Sequence, residues 1–82
     1  MNKAKNAFVK WLKKNKAENI KQWGTKGDTG SWDYYTDVDA FIGDRLYSAC
    51  FTVWQGKERI DYSDEESRYS NLSIEEFLEL IK

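Results

Sequence analysis

Apolar residues recur at three- and four-residue spacing at the start of the chain: Ala4, Ala7, Phe8, Trp11 and Leu12. That spacing forms one stripe of an amphipathic helix and predicts a helix over residues 3–14. Lys3, Lys5, Lys10, Lys13 and Lys14 fall mainly off the stripe. Ala17, Ile20 and Trp23 carry the spacing onward on a rotated face. The expectation is that the helix continues, or makes a further turn after Asn15, and is capped by Gly24. Residues 24–31 then read as a loop, with three glycines among small polar residues. They match neither the Gly-x-x-x-x-Gly-Lys-Ser/Thr phosphate loop nor the dinucleotide-binding glycine spacing.

From Trp32 the period changes to two. Trp32, Tyr34, Thr36, Val38 and Ala40 alternate with Asp33, Tyr35, Asp37, Asp39 and Phe41, which predicts a half-buried strand. Gly43-Asp44 is a hairpin signal. The strand after it, Leu46–Gln55, is apolar on both faces, as expected of a central strand. Gly56-Lys57 predicts a second tight turn, and Glu58–Tyr62 a short third strand with Ile60 and Tyr62 inward. Residues 63–71 read as an acidic connection. The last helix has the strongest signature: Ser73 followed by Glu76 is a capping box, and Leu72 and Phe77 occupy staple positions. Ile74, Phe77, Leu78 and Ile81 form its apolar stripe, with Glu75, Glu76 and Glu79 outward.

The expected fold is therefore α+β, one small domain over residues 1–82. Its order is α-β-β-β-α, with a three-stranded antiparallel meander packed by the N- and C-terminal helices. Both helices are expected on the face of Val38, Phe51 and Ile60. The other face then carries Tyr35, Phe41, Leu46 and Trp54 among aspartates, and a one-residue slip in register would invert the two.

Composition narrows the chemistry. The 82 residues contain no His and a single cysteine, Cys50. Ser–His, Cys–His and His-ligated metal chemistry are thereby excluded, as are an internal disulfide and a CxxC pair. Asp61-x-x-Asp64-Glu65-Glu66 offers oxygen ligands but lacks the alternation and central glycine of a calcium loop. A domain of this size also leaves little room for an enclosed pocket. The expectation is a protein that is not an enzyme and holds no cofactor or metal. A small chain without disulfides suits a reducing compartment, so a cytoplasmic location is expected. No apolar run is long enough for a membrane span or for the core of a secretion signal.

Charge says more than its sum. The net charge is −1, but residues 1–26 hold eight Lys and one Glu, whereas residues 27–82 hold five basic and thirteen acidic residues. The halves are therefore +7 and −8. An acidic surface repels nucleic acid and attracts a basic groove. Aromatic residues rimmed by acids resemble an interface hot spot. The candidate partner-binding set is Asp33, Tyr35, Asp37, Asp39, Phe41, Trp54, Asp61, Asp64, Glu65 and Glu66.

These features predict a protein-binding domain, a small inhibitor that docks on the basic groove of a nucleic-acid-binding protein or nuclease. Phage and mobile-element inhibitors of host defence, anti-CRISPR proteins among them, share this size and charge; no motif carries the comparison. A nucleic-acid-binding module using the Lys-rich first helix ranks second. Against it stands the absence of Arg before Arg45, since Arg is the usual bidentate reader of bases. Opposite charges also allow self-association, head to tail, so the expected state is a monomer or weak homodimer.

Overall fold

The computed structural model describes residues 3–26, 34–54 and 56–81. Two helices, α1 (Lys3–Lys14) and α2 (Ile74–Leu80), flank five strands: β1 (Glu18–Lys26), β2 (Tyr34–Ile42), β3 (Arg45–Trp54), β4 (Lys57–Ser63) and β5 (Arg68–Leu72). The strands form one antiparallel sheet in sequence order. The α+β class holds, but the sheet has five strands where the sequence pattern predicts three.

The first correction falls at residues 15–26. α1 ends in a Schellman motif: the Ala17 amide donates to the Leu12 carbonyl (2.9 Å) and the Lys16 amide to the Lys13 carbonyl (3.1 Å). Lys16 takes the left-handed position at φ 61°, which costs a non-glycine residue about 1–2 kcal/mol. The chain then turns back as β1 instead of continuing as a helix to Trp23. The three-residue step from Ile20 to Trp23 is what mimics a helix. In the strand that odd step puts them on opposite faces, Ile20 against the core and Trp23 outward. A bulge lies between Glu18 and Lys21, with Asn19 at φ 56°. Gly24 is a strand residue, not a helix cap. A Cβ there would lie 2.3 Å from the Tyr35 carbonyl oxygen, so only glycine allows β1 to approach β2 so closely.

The second correction falls at residues 63–71. Only residues 64–67 are a loop, held by Asp64, whose Oδ1 accepts the amides of Glu66 and Ser67, both at 2.8 Å. β5 follows. It hides from a pattern reading because it is short, exposed and bulged: Asn71 sits at φ 57°, and its amide donates to the Asp61 carboxylate at 2.8 Å. The second hairpin also closes one residue early. Trp54 pairs with Lys57, and Gly56, at φ 76°, precedes the strand.

Both helices pack on one face of the sheet, the expected one. Ala4, Phe8 and Leu12 of α1 meet Phe77 and Ile81 over Val38, Ala40, Ala49, Phe51, Ile60 and Tyr62. Phe8 is the hub, with ring centroids 5.6 Å from Phe77, 6.1 Å from Phe51 and 6.2 Å from Tyr62. Each such side chain contributes about 1.5–3 kcal/mol through burial. α2 starts as its sequence predicts. Ser73 Oγ accepts the Glu76 amide (3.2 Å) and Glu76 Oε1 accepts the Ser73 amide (2.9 Å).

Candidate functional site

The strand register generates the site. Thr36, Val38 and Ala40 point inward and are buried, so Tyr35, Asp37, Asp39 and Phe41 must point to the other face. Antiparallel pairing then aligns rows across the sheet. Trp23, Asp37, Cys50 and Asp61 form one row; Lys21, Asp39, Ser48, Ser63 and Arg68 form the next. Phe41 and Leu46 are directly paired at the end nearest Gly43. Neither helix covers this face. Trp23, Phe41 and Leu46 are 47%, 42% and 40% exposed, which makes them the apolar anchors available to a partner.

The carboxylates sit between those anchors. Asp37 and Asp39 are about 6.7 Å apart along β2, and Asp61 is two strands away from Asp37, about 10 Å. Tyr35 Oη donates to Asp37 Oδ2 at 2.6 Å, and Ser48 Oγ donates to Asp39 Oδ1. That hydrogen bond to Asp37, reinforced by its charge, holds the Tyr35 phenol above its ordinary pKa. Exposed cations flank this negative centre: Lys21, Lys57 and Arg68. The face thus has a negative interior and a positive rim. A shallow groove of about 300 Å³ crosses it between β3 and β5, lined by Ser48, Cys50, Asp61, Ser63, Arg68 and Ser70 among others.

Cys50 lies half-buried in the middle of the face, its Sγ 3.6 Å from Thr52 Oγ1. Burial, with the nearby Asp37 and Asp61 charges, pushes the thiol up to about 11. At neutral pH it is a protonated thiol, and the thiolate is the nucleophile. Among the described residues no three Cys, Asp or Glu side chains come together as a metal-holding set, and no helix is long and apolar enough to cross a membrane.

The structure gathers Tyr35, Asp37, Asp39, Phe41 and Asp61 on this face. Trp54 belongs to β3 and pairs with Lys57; its side chain, like the whole of Asp33, lies outside the described residues. Asp64, Glu65 and Glu66 sit off the face in the β4–β5 loop. There Asp64 also accepts the buried Tyr62 hydroxyl at 2.7 Å, and Glu66 accepts from Arg45 at 2.8 Å. Trp23 and Lys21 are the face residues that pattern reading misses. No period-two signal could have found them: Ile20, Lys21, Gln22 and Trp23 run apolar, polar, polar, apolar, which is a helical step and not an alternation. Against this geometry, no family model matches the chain, and no curated protein or solved structure shows significant similarity to it.

Proposed function

We propose that the protein is a non-enzymatic binding domain whose bare sheet face docks on a partner protein with a basic surface. The observation that carries this reading is one-sided coverage: five strands, two helices on one face, and Trp23, Phe41 and Leu46 exposed on the other around three aspartates. Aromatic anchors beside charged groups suit a protein interface more than a small-molecule pocket. Asp37, Asp39 and Asp61 complement lysines or arginines of a nucleic-acid-binding protein, and occupying such a groove would make the domain an inhibitor.

The test uses immobilised protein to capture a partner from its native host. Binding is then measured with the purified partner. Changing Phe41 and Leu46 to Ala together should weaken binding at least about tenfold. Neutralising Asp37, Asp39 and Asp61 to Asn should weaken it and flatten its salt dependence. Unchanged affinity in both variants overturns the reading.

A second reading rests on its own observation. Lys3, Lys10, Lys13 and Lys14 are all exposed on α1, with no acid in that helix. Such a row suits phosphate contacts. A low-salt mobility shift on DNA or RNA, lost on changing Lys10, Lys13 and Lys14 to Glu, favours it over protein docking.

A further inference from the structure

The buried stripe of α1, Ala4, Phe8 and Leu12, packs on the inner face of the sheet. On one flank of that stripe Trp11 reaches Tyr47 of β3, with ring centroids 5.7 Å apart. Each residue turns a helix by about 100°, so Val9 lies on the opposite flank, toward the edge strand β1. There a groove of about 250 Å³ runs between α1 and β1, lined by Asn6, Val9, Lys10, Lys13 and Gln22. Two periodicities bring these residues together. Residues 6, 9, 10 and 13 are three and four apart and share one side of α1. Gln22 is in register with Val38, which is buried on the inner face, so Gln22 points to the helix side of β1.

Every polar side chain in this lining can donate. Lys10 and Lys13 are ammonium point charges, and Asn6 and Gln22 bring amide NH2 groups. All four are exposed, and among the described residues none of them enters a side-chain hydrogen bond or an ion pair. No acid lines the groove. α1 itself contains none. Glu75, Glu76 and Glu79 belong to α2, which packs over β4 and β5 beyond the other flank of α1. Glu18 shares the row of Phe41, on the outer face. Lys10 and Lys13, one turn apart, therefore repel each other with nothing of opposite sign beside them. A doubly negative ligand removes that repulsion and meets the amide donors at the same time.

We propose that the groove between α1 and β1 is a binding site for a terminal phosphate, either inorganic phosphate or a phosphomonoester. A phosphomonoester carries a charge of about −1.5 to −2 at neutral pH, whereas a diester in a nucleic-acid backbone carries a single charge. Lys10 and Lys13 are separated by only about 4.5 Å of helical rise, so both converge on one phosphoryl group. Lysine serves such a group as a point charge, and Asn6 and Gln22 supply directed hydrogen bonds from the two sides of the groove. The site lies on the helix side of the sheet, so it stands independently of protein docking on the outer face. It is also narrower than a lysine row that attracts nucleic acid, because Lys3 and Lys14 take no part.

Amide NMR of the full chain tests this. The probes are inorganic phosphate, methyl phosphate and dimethyl phosphate, each exchanged for chloride at constant ionic strength. Phosphate and the monoester should move the side-chain amide signals of Asn6 and Gln22 along saturating one-site curves. The diester should bind at least about fivefold more weakly. Lys10→Gln with Lys13→Gln should weaken phosphate binding at least about tenfold, and Gln22→Ala about threefold. Lys57→Gln with Arg68→Gln removes the same charge from the outer face and should leave binding within about twofold. Side-chain amide signals that do not move overturn the proposal, as does an equal loss in the Lys57 and Arg68 variant. An equal response to monoester and diester also overturns it, and leaves nucleic-acid binding along α1 standing in its place. The titration of the unchanged chain gives its answer whether or not the variants fold.

Discussion

The two faces of the sheet alternate residue by residue along the same strands, yet they differ in kind. On β2, Thr36, Val38 and Ala40 are sealed beneath the helices, while Tyr35, Asp37, Asp39 and Phe41 are only partly covered by their neighbours. The inner face is small and aliphatic on β2 and aromatic on β3 and β4, which is what lets Phe8 and Phe77 seat between strands. The outer face mixes hydroxyls, carboxylates, one thiol and three exposed apolar side chains. Stability therefore resides in one set of alternate positions. The other set is released from that duty and carries whatever the domain recognises.

This division is sharpest in the effect of truncation. Phe8→Ala or Phe77→Ala removes a fully buried ring that meets the other helix and strands β3 and β4. The expected loss is about 3–5 kcal/mol, most of the stability of a domain this size. Urea unfolding should show each variant largely unfolded or with a strongly lowered midpoint. Trp23→Ala and Phe41→Ala, on the bare face, should each cost less than about 1 kcal/mol in the same measurement. A bare-face truncation that destabilises as much as Phe8→Ala would break the division of labour.

Gly24→Ala tests the joint between β1 and the rest of the sheet. Its new Cβ meets the Tyr35 carbonyl and Thr36 Cα, and the expected cost is about 1–3 kcal/mol. Because β1 is an edge strand, hydrogen exchange should show the loss concentrated in β1 amides while β3 stays protected. Ser73→Ala comes next in size. It removes one half of the capping box at α2, at a cost of about 1 kcal/mol, read as a small shift of the urea midpoint.

The sequence makes some of this architecture readable and hides the rest for physical reasons. α1, the Gly43 hairpin and the α2 capping box are legible because each rests on local chemistry: a stripe, a turn residue, a reciprocal side-chain bond. The assignment of faces is legible because Val38 lies between Asp37 and Asp39 and Ile60 between Arg59 and Asp61, whereas β3 between them is apolar on both faces. β1 and β5 are not legible, because both are edge strands carrying few inward apolar residues. Each is broken by a bulge at an asparagine, Asn19 and Asn71, with positive φ. A bulge shifts parity, so a period-two pattern fails there even though the strand forms. Lys16 hides the end of α1 in the same way, since a lysine carries no sign that it will take a glycine-like conformation. Among the candidate site residues, Asp37, Asp39 and Asp61 fall together because strand register places them. Asp64 is drawn away because its loop needs a cap, and Asp61, though on the face, also accepts the Asn71 amide at the β5 bulge; nothing in a run of four acids at 61–66 tells which carboxylates the backbone uses.

Asp64 gives the smallest expected effect and separates the two roles of acid in this molecule. Hydrogen bonds from the Tyr62 hydroxyl and from the Glu66 and Ser67 amides hold its carboxyl below the ordinary carboxylate range. In the unfolded chain an aspartate titrates near 4, at about 3.9. The folded state therefore binds this proton less readily than the unfolded state. The resulting stabilisation is fully present above the unfolded pKa and is lost as pH falls through the folded one. The urea midpoint of the unchanged chain should exceed that of Asp64→Asn at pH 7, with the gap closing as pH falls below about 4. Every other carboxylate is common to both proteins, so the difference isolates this group. A gap that stays constant with pH means the charge on Asp64 does nothing for the loop. Asp64 would then be available to a partner in the same sense as Asp37 and Asp39, and the boundary between folding acids and docking acids would have to be moved.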